Sequence, residues 1–134
     1  MKKLSTILTI TLTVILLSPV IALSNYDVID NVTTAIKAGN AAQLATYFDN
    51  TVELTIRDKQ SSYSKAQAQV VVKDFFEKNP VKNFAIVHRG SSDAGSSYAI
   101  GTLTCAAQSF RAYIYVKQKG SSTLVEELRF ENAK

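Results

Sequence analysis

Only one cysteine, Cys105, and one histidine, His88, occur in the 134 residues. A lone cysteine cannot form an internal disulfide, so no covalent staple supports the fold. Cys105 is read as a small buried apolar residue. One Cys and one His also argue against zinc, because structural sites take four such ligands. No metal or cofactor is expected. No internal repeat and no disordered linker divides the chain, which is long enough for one domain. No basic run of the kind that tracks phosphates is present, and acidic residues are interleaved with the basic ones. A nucleic-acid partner is therefore not expected.

The amino-terminal stretch differs from the rest. "MKK" is a short positive start, "LSTILTITLTVILL" is apolar and uncharged, Pro19 breaks the run, and "ALS" supplies small residues. That is the three-part layout of a secretory leader, expected over residues 1–24 with cleavage near Ser24 or at Ala22. The run from Leu4 to Leu17 is short for a bilayer, which needs about 20 apolar residues. No stable membrane anchor is expected after cleavage. No cysteine lies there to carry a lipid. The mature protein, residues 25–134, is expected to be secreted or periplasmic. Without Lys2 and Lys3, 13 basic residues face 11 acidic ones, and the formal net charge falls from +4 to +2.

In "YDVIDNVTTAIKAGN", Val28, Ile29, Val32, Ala35 and Ile36 recur at helical spacing, and Gly39 suits a C-terminal cap. A second helix, "NAAQLATYF", opens on Asn40 and Gln43 as a capping box. "VELTIR" alternates as a half-buried strand, and "DKQS" turns it into a partner ending near Tyr63. Ser64 and Gln67 form a second capping box. They open a third helix whose stripe is Ala68, Val71, Val72, Phe75 and Phe76. Asn79-Pro80 ends it, since a residue before proline avoids helical geometry. Four strands follow: "NFAIVHRG", "SYAIGTLTC", "SFRAYIYVKQ" and "STLVEELRFE". Short polar turns between them favour an antiparallel meander.

This order resembles the nuclear transport factor 2-like superfamily, also called cystatin-like, over about residues 26–131. "AGNAAQLATYFDNTVELTI" is similar to the superfamily's helix–helix–strand opening. "YSKAQAQVVVKDFFEKNP", "VHRG", "YAIGTLTC" and "FRAYIYVK" resemble a subgroup of small secreted bacterial proteins with a domain of unknown function. The resemblance implies an α+β, cone-like fold with three N-terminal helices packed on a curved, mostly antiparallel sheet. It implies no activity, because the superfamily holds enzymes, ligand binders and dimerising adaptors.

Candidate sites follow from interruptions of the apolar pattern. His88 continues the alternation of Phe84 and Ile86, and Glu126 lies between Leu124 and Leu128. Both are expected on the concave face or its rim. With Tyr47 they would line a cavity for a small, mostly apolar ligand. As an acid–base pair they would be about 14 Å apart across three strand spacings, too far for a shared proton. Asp74 and Glu77 turn away from the stripe of the third helix. No catalytic residue is assigned; an isomerase- or hydratase-like enzyme using His88 or Glu126 is the alternative. On the opposite face, Arg111, Tyr113 and Tyr115 are residue types favoured at interfaces. They mark a candidate partner surface, including a homodimer through the sheet. The leading expectation is a non-enzymatic binding module that holds a ligand in the cone or a protein on that face.

Overall fold

The structure, a computed structural model, describes residues 25–92 and 94–134. The expected leader lies outside the described residues. The elements run α1 (Asn25–Lys37), α2 (Ala41–Ala45), β1 (Phe48–Ile56), β2 (Lys59–Ser64), α3 (Lys65–Lys78), β3 (Val81–Ser91), β4 (Ser96–Cys105), β5 (Ser109–Lys119) and β6 (Ser122–Asn132). The third helix follows the first hairpin, as the residue pattern places it, so two helices and not three precede the sheet.

Local chemistry explains most boundaries. The Ser64 hydroxyl accepts from the Gln67 backbone N–H, and the Gln67 side chain accepts from the Ser64 N–H, both at 3.3 Å. That reciprocal cap starts α3. At α2 the Asn40 side chain accepts from the Gln43 N–H at 3.0 Å. Gly39, at φ 62°, ends α1 in the left-handed region that favours glycine. The second helix is shorter than its pattern suggests. It stops at Ala45, and Phe48 begins β1. Val125 explains this: its N–H donates to the Tyr47 carbonyl at 2.7 Å, so β6 captures the chain as a strand.

One six-stranded sheet results, in the order β2-β1-β6-β5-β4-β3. All neighbours are antiparallel except β1 and β6, whose parallel pairing joins the hairpin to the meander. On the inner face α1 packs across β3 to β6, and α3 packs on β1 and β2. Phe110, Ala112, Ile114 and Val116 of β5 are fully buried there, as their alternation predicts. Cys105 is buried and unpaired, also as expected.

The interior is closed by phenylalanine. Phe75 of α3 stacks on Phe130 at 4.8 Å between centroids and meets Phe110 edge-on at 5.0 Å. Edge-on and offset rings both suit the aromatic quadrupole. Phe84 closes the β3 side, with its ring lying where a Cβ on Gly101 would sit, 2.7 Å away.

Irregular pairing bends one edge strand, β3, and one interior strand, β6. On β3, Ile86 faces Gly101 but His88 faces Ile100, so Val87 is one residue too many. On β6, Val125 faces Val116 but Glu127 faces Tyr115, so Glu126 is the extra residue. Each bulge bends its strand and reverses which side chains point inward beyond it.

Candidate functional site

The bulge at Val87 corrects the placement of His88. Beyond it, His88 stands in register with Ile100, an outward position, and is exposed. Arg89, which simple alternation would point outward, turns to the helix side and pairs with Asp30 of α1. Glu126 is displaced in the same way. Val125 takes the inward position, and Glu126 pairs with Lys119 at 2.9 Å. Tyr47 is half-buried against the core, beside the start of β1. Its neighbour in the sheet is β6, whereas β3 with His88 lies three strands further on. The structure thus does not gather Tyr47, His88 and Glu126 around one cavity. Asp74 and Glu77 are exposed as expected, and Asp74 pairs with Lys78 at 2.9 Å.

A different constellation stands on the outer face, which no described helix covers. His88 Nε2 and the Tyr98 hydroxyl are 3.1 Å apart, in hydrogen-bond contact. The Tyr98 ring stacks on Tyr113 at 6.0 Å between centroids, and the Arg129 guanidinium lies 5.2 Å from the Tyr113 ring centre. One row of side chains therefore crosses four strands, from β3 to β6. Gly90 makes room for it. A Cβ there would lie 2.4 Å from the Tyr98 ring. Burial, then the Glu127 carboxylate, raises the Tyr113 phenol above its ordinary range. Arg129 also pairs with Glu127, which fixes the guanidinium over the ring. Tyr115 and Arg111 flank the row on β5, as the alternation predicts.

Tyr98, Arg129 and Gly90 were absent from the sequence-based candidates. The alternation of "SYAIGTLTC" places Tyr98 outward and could have found it. The diagonal contact that joins it to Tyr113 has no signal in the sequence.

A second charged group sits at the far end of β5. Lys119 bonds both Asp49 of β1 and Glu126 of β6. The Lys119 hydrogen bond holds the buried Asp49 carboxyl below its ordinary range, against the opposing effect of burial, and the Asn50 N–H assists at 2.7 Å. This cluster ties the bulge of β6 to the start of β1. Among the described residues no three His, Cys, Asp or Glu side chains group as a metal site would need.

Helices on one face of a bent, six-stranded, mostly antiparallel sheet define a nuclear-transport-factor-2-like α+β fold. A solved protein of that fold and of unknown function, from Cytophaga hutchinsonii, matches with a TM-score of 0.60. It is 6% identical, over 80% of this chain and 88% of that one. The chain belongs to the DUF4783 family, a domain of unknown function, which it matches over residues 29–131. Solved members from two Bacteroides species are similar to it. The Bacteroides fragilis protein is 31% identical over 77% of this chain and 96% of its own, with a TM-score of 0.73. The Bacteroides uniformis protein is 26% identical over 78% and 96%, with a TM-score of 0.75. No curated protein matches the chain.

Proposed function

We propose that this protein is a non-enzymatic binding module, working outside the cytoplasm, whose contact surface is the outer face of the sheet. The observation that carries this reading is the row from His88 through Tyr98 and Tyr113 to Arg129 on the helix-free face. Tyrosine and arginine are the side chains that most often anchor protein interfaces. Locking them by stacking lowers the entropy lost on association. The leader-like layout of residues 1–24 supports the compartment.

Two competing readings have less support. A ligand inside the cone would have to displace Phe75, Phe84 and Phe110, all of them buried. An acid–base enzyme would need an inward group with a proton affinity near neutrality. His88 faces out, and the Asp49 carboxyl is shifted downward, toward a weaker base.

The partner is a second copy of the chain. The outward residues of β5 include Arg111 and Lys117, and those of β6 include Glu127 and Glu131. A two-fold axis that lays this face on its copy sets Arg111 and Lys117 of one protomer over the β6 column of the other, where Glu127 and Glu131 flank Arg129. That self-complementarity is what an isologous dimer requires. Sedimentation equilibrium at micromolar concentration should show a dimer. Arg111→Glu, at an exposed position with no packing role, should weaken it roughly tenfold or more. A wild-type chain that stays monomeric throughout that range would refute the proposal.

A further inference from the structure

We propose that the groove between α3 and the β1–β2 hairpin binds a free, single-chain aliphatic carboxylate, with Arg57 as the anion contact. The inference goes beyond the sheet-face reading and uses none of its residues. The groove encloses about 620 Å³, within the usual range of small-molecule sites. Its wall is aliphatic and aromatic: Leu54, Ile56, Tyr63, Val70, Val71 and Phe75. Val70 is 67% exposed there, one of two large aliphatic side chains, with Val87, that face water among the described residues.

The charge at the groove's lip has one sign left over. Arg57, Lys59, Lys78 and Asp74 also line it, and Asp74 is spent on Lys78 at 2.9 Å. Arg57 and Lys59 have no carboxylate within ion-pair distance among the described residues.

Arg57 is also held in place without being neutralised. Its backbone adopts φ 61°, a left-handed conformation uncommon outside glycine, and its N–H donates to the Phe130 carbonyl at 2.7 Å. Its guanidinium lies 5.1 Å from the Phe110 ring centre. The contacts to its N–H groups are all neutral amides. Asn132 accepts at 3.1 Å, Asn79 at a long 3.5 Å, and the Gln108 oxygen, in the orientation that satisfies its amide, at 2.6 and 2.8 Å. Gln108 occupies the end-on fork. Among the described residues, the side-on fork, Nε–H with one Nη2–H, meets only the long Asn79 contact. Guanidinium forks match carboxylates in this two-point manner. A fixed, uncompensated cation beside an apolar trough suits one charged head and one hydrocarbon tail.

The test is titration calorimetry of the mature chain with octanoate, decanoate and decan-1-ol below their aggregation limits, and with phosphatidylglycerol vesicles. Decanoate should bind one-to-one, and each added methylene should strengthen binding about threefold to fourfold. Arg57→Gly suits the positive φ and so retains the fold. It should weaken decanoate about tenfold or more and leave decan-1-ol unchanged. Val70→Gln, at an exposed position, should weaken both. The proposal is overturned if wild type shows no saturable decanoate binding, if decanoate and decan-1-ol bind equally, or if Arg57→Gly binds decanoate as wild type does. Vesicles that outcompete decanoate would likewise overturn it, in favour of a membrane lipid. A chain that dimerises but ignores decanoate leaves the sheet-face reading standing; the reverse result leaves only this one.

Discussion

The inner face of the sheet is closed by phenylalanine, and the outer face is carried by tyrosine. All six phenylalanines are buried, from Phe48 to Phe130, while Tyr47, Tyr63, Tyr98, Tyr113 and Tyr115 are each partly exposed. The rings are nearly the same size, so the hydroxyl decides. A buried phenol must find a hydrogen-bond partner, whereas a phenyl ring has no such need. Inside, the rings meet edge-on and stacked around Phe75 and exclude water. Outside, Tyr98 stacks on Tyr113 with its hydroxyl in contact with His88, and the Arg129 guanidinium lies over the Tyr113 ring. One face packs the interior. The other leaves its rings half-exposed on the side that no described helix covers.

The largest effect should come from the inner face. Phe110→Ala removes a fully buried ring and should cost about 3–5 kcal/mol in urea unfolding. Tyr113→Ala, half-exposed, should cost about 1 kcal/mol. Equal losses would erase the distinction between the faces.

Next comes the fit of the outer row. Gly90→Ala drives a methyl into the Tyr98 ring and should cost about 1–3 kcal/mol. Tyr98→Ala in the same chain should recover most of that loss. No recovery would mean that Gly90 is required for its backbone and not for the ring.

The smallest effect concerns pH. A carboxyl held below its ordinary value, about 3.9 for Asp, stabilises the fold above that value. The contribution is lost as pH falls through the lower, folded-state value. Lys119→Met removes the main cause of the Asp49 shift, so acid unfolding should begin at higher pH. Circular dichroism across pH 2–6 would check this. An unchanged midpoint would show that the Asp49–Lys119–Glu126 cluster contributes nothing to acid stability.

Much of the fold was legible in the chain. Ser64 with Gln67 located the start of α3, Asn79-Pro80 its end, and the β5 alternation identified both faces of that strand. The outward positions of Arg111, Tyr113 and Tyr115 follow directly from that alternation. The cavity residues do not, because His88 and Glu126 were placed by counting in twos. Each lies at or just past a bulge, where the count fails. Arg57 was hidden for another reason. It ends an ordinary alternating strand, and its three amide partners come from three distant segments.

Local sequence therefore determined the elements, their caps and the side chains that could be buried, since these depend on propensity and short-range periodicity. Tertiary pairing decided which face His88, Arg89, Val125 and Glu126 occupy. A bulge depends on how two strands align, and inserting one residue reverses the parity of everything beyond it. The same pairing brought Tyr98 against Tyr113, and Asn79, Gln108 and Asn132 around Arg57. These contacts join residues far apart in the chain, so no local pattern encodes them.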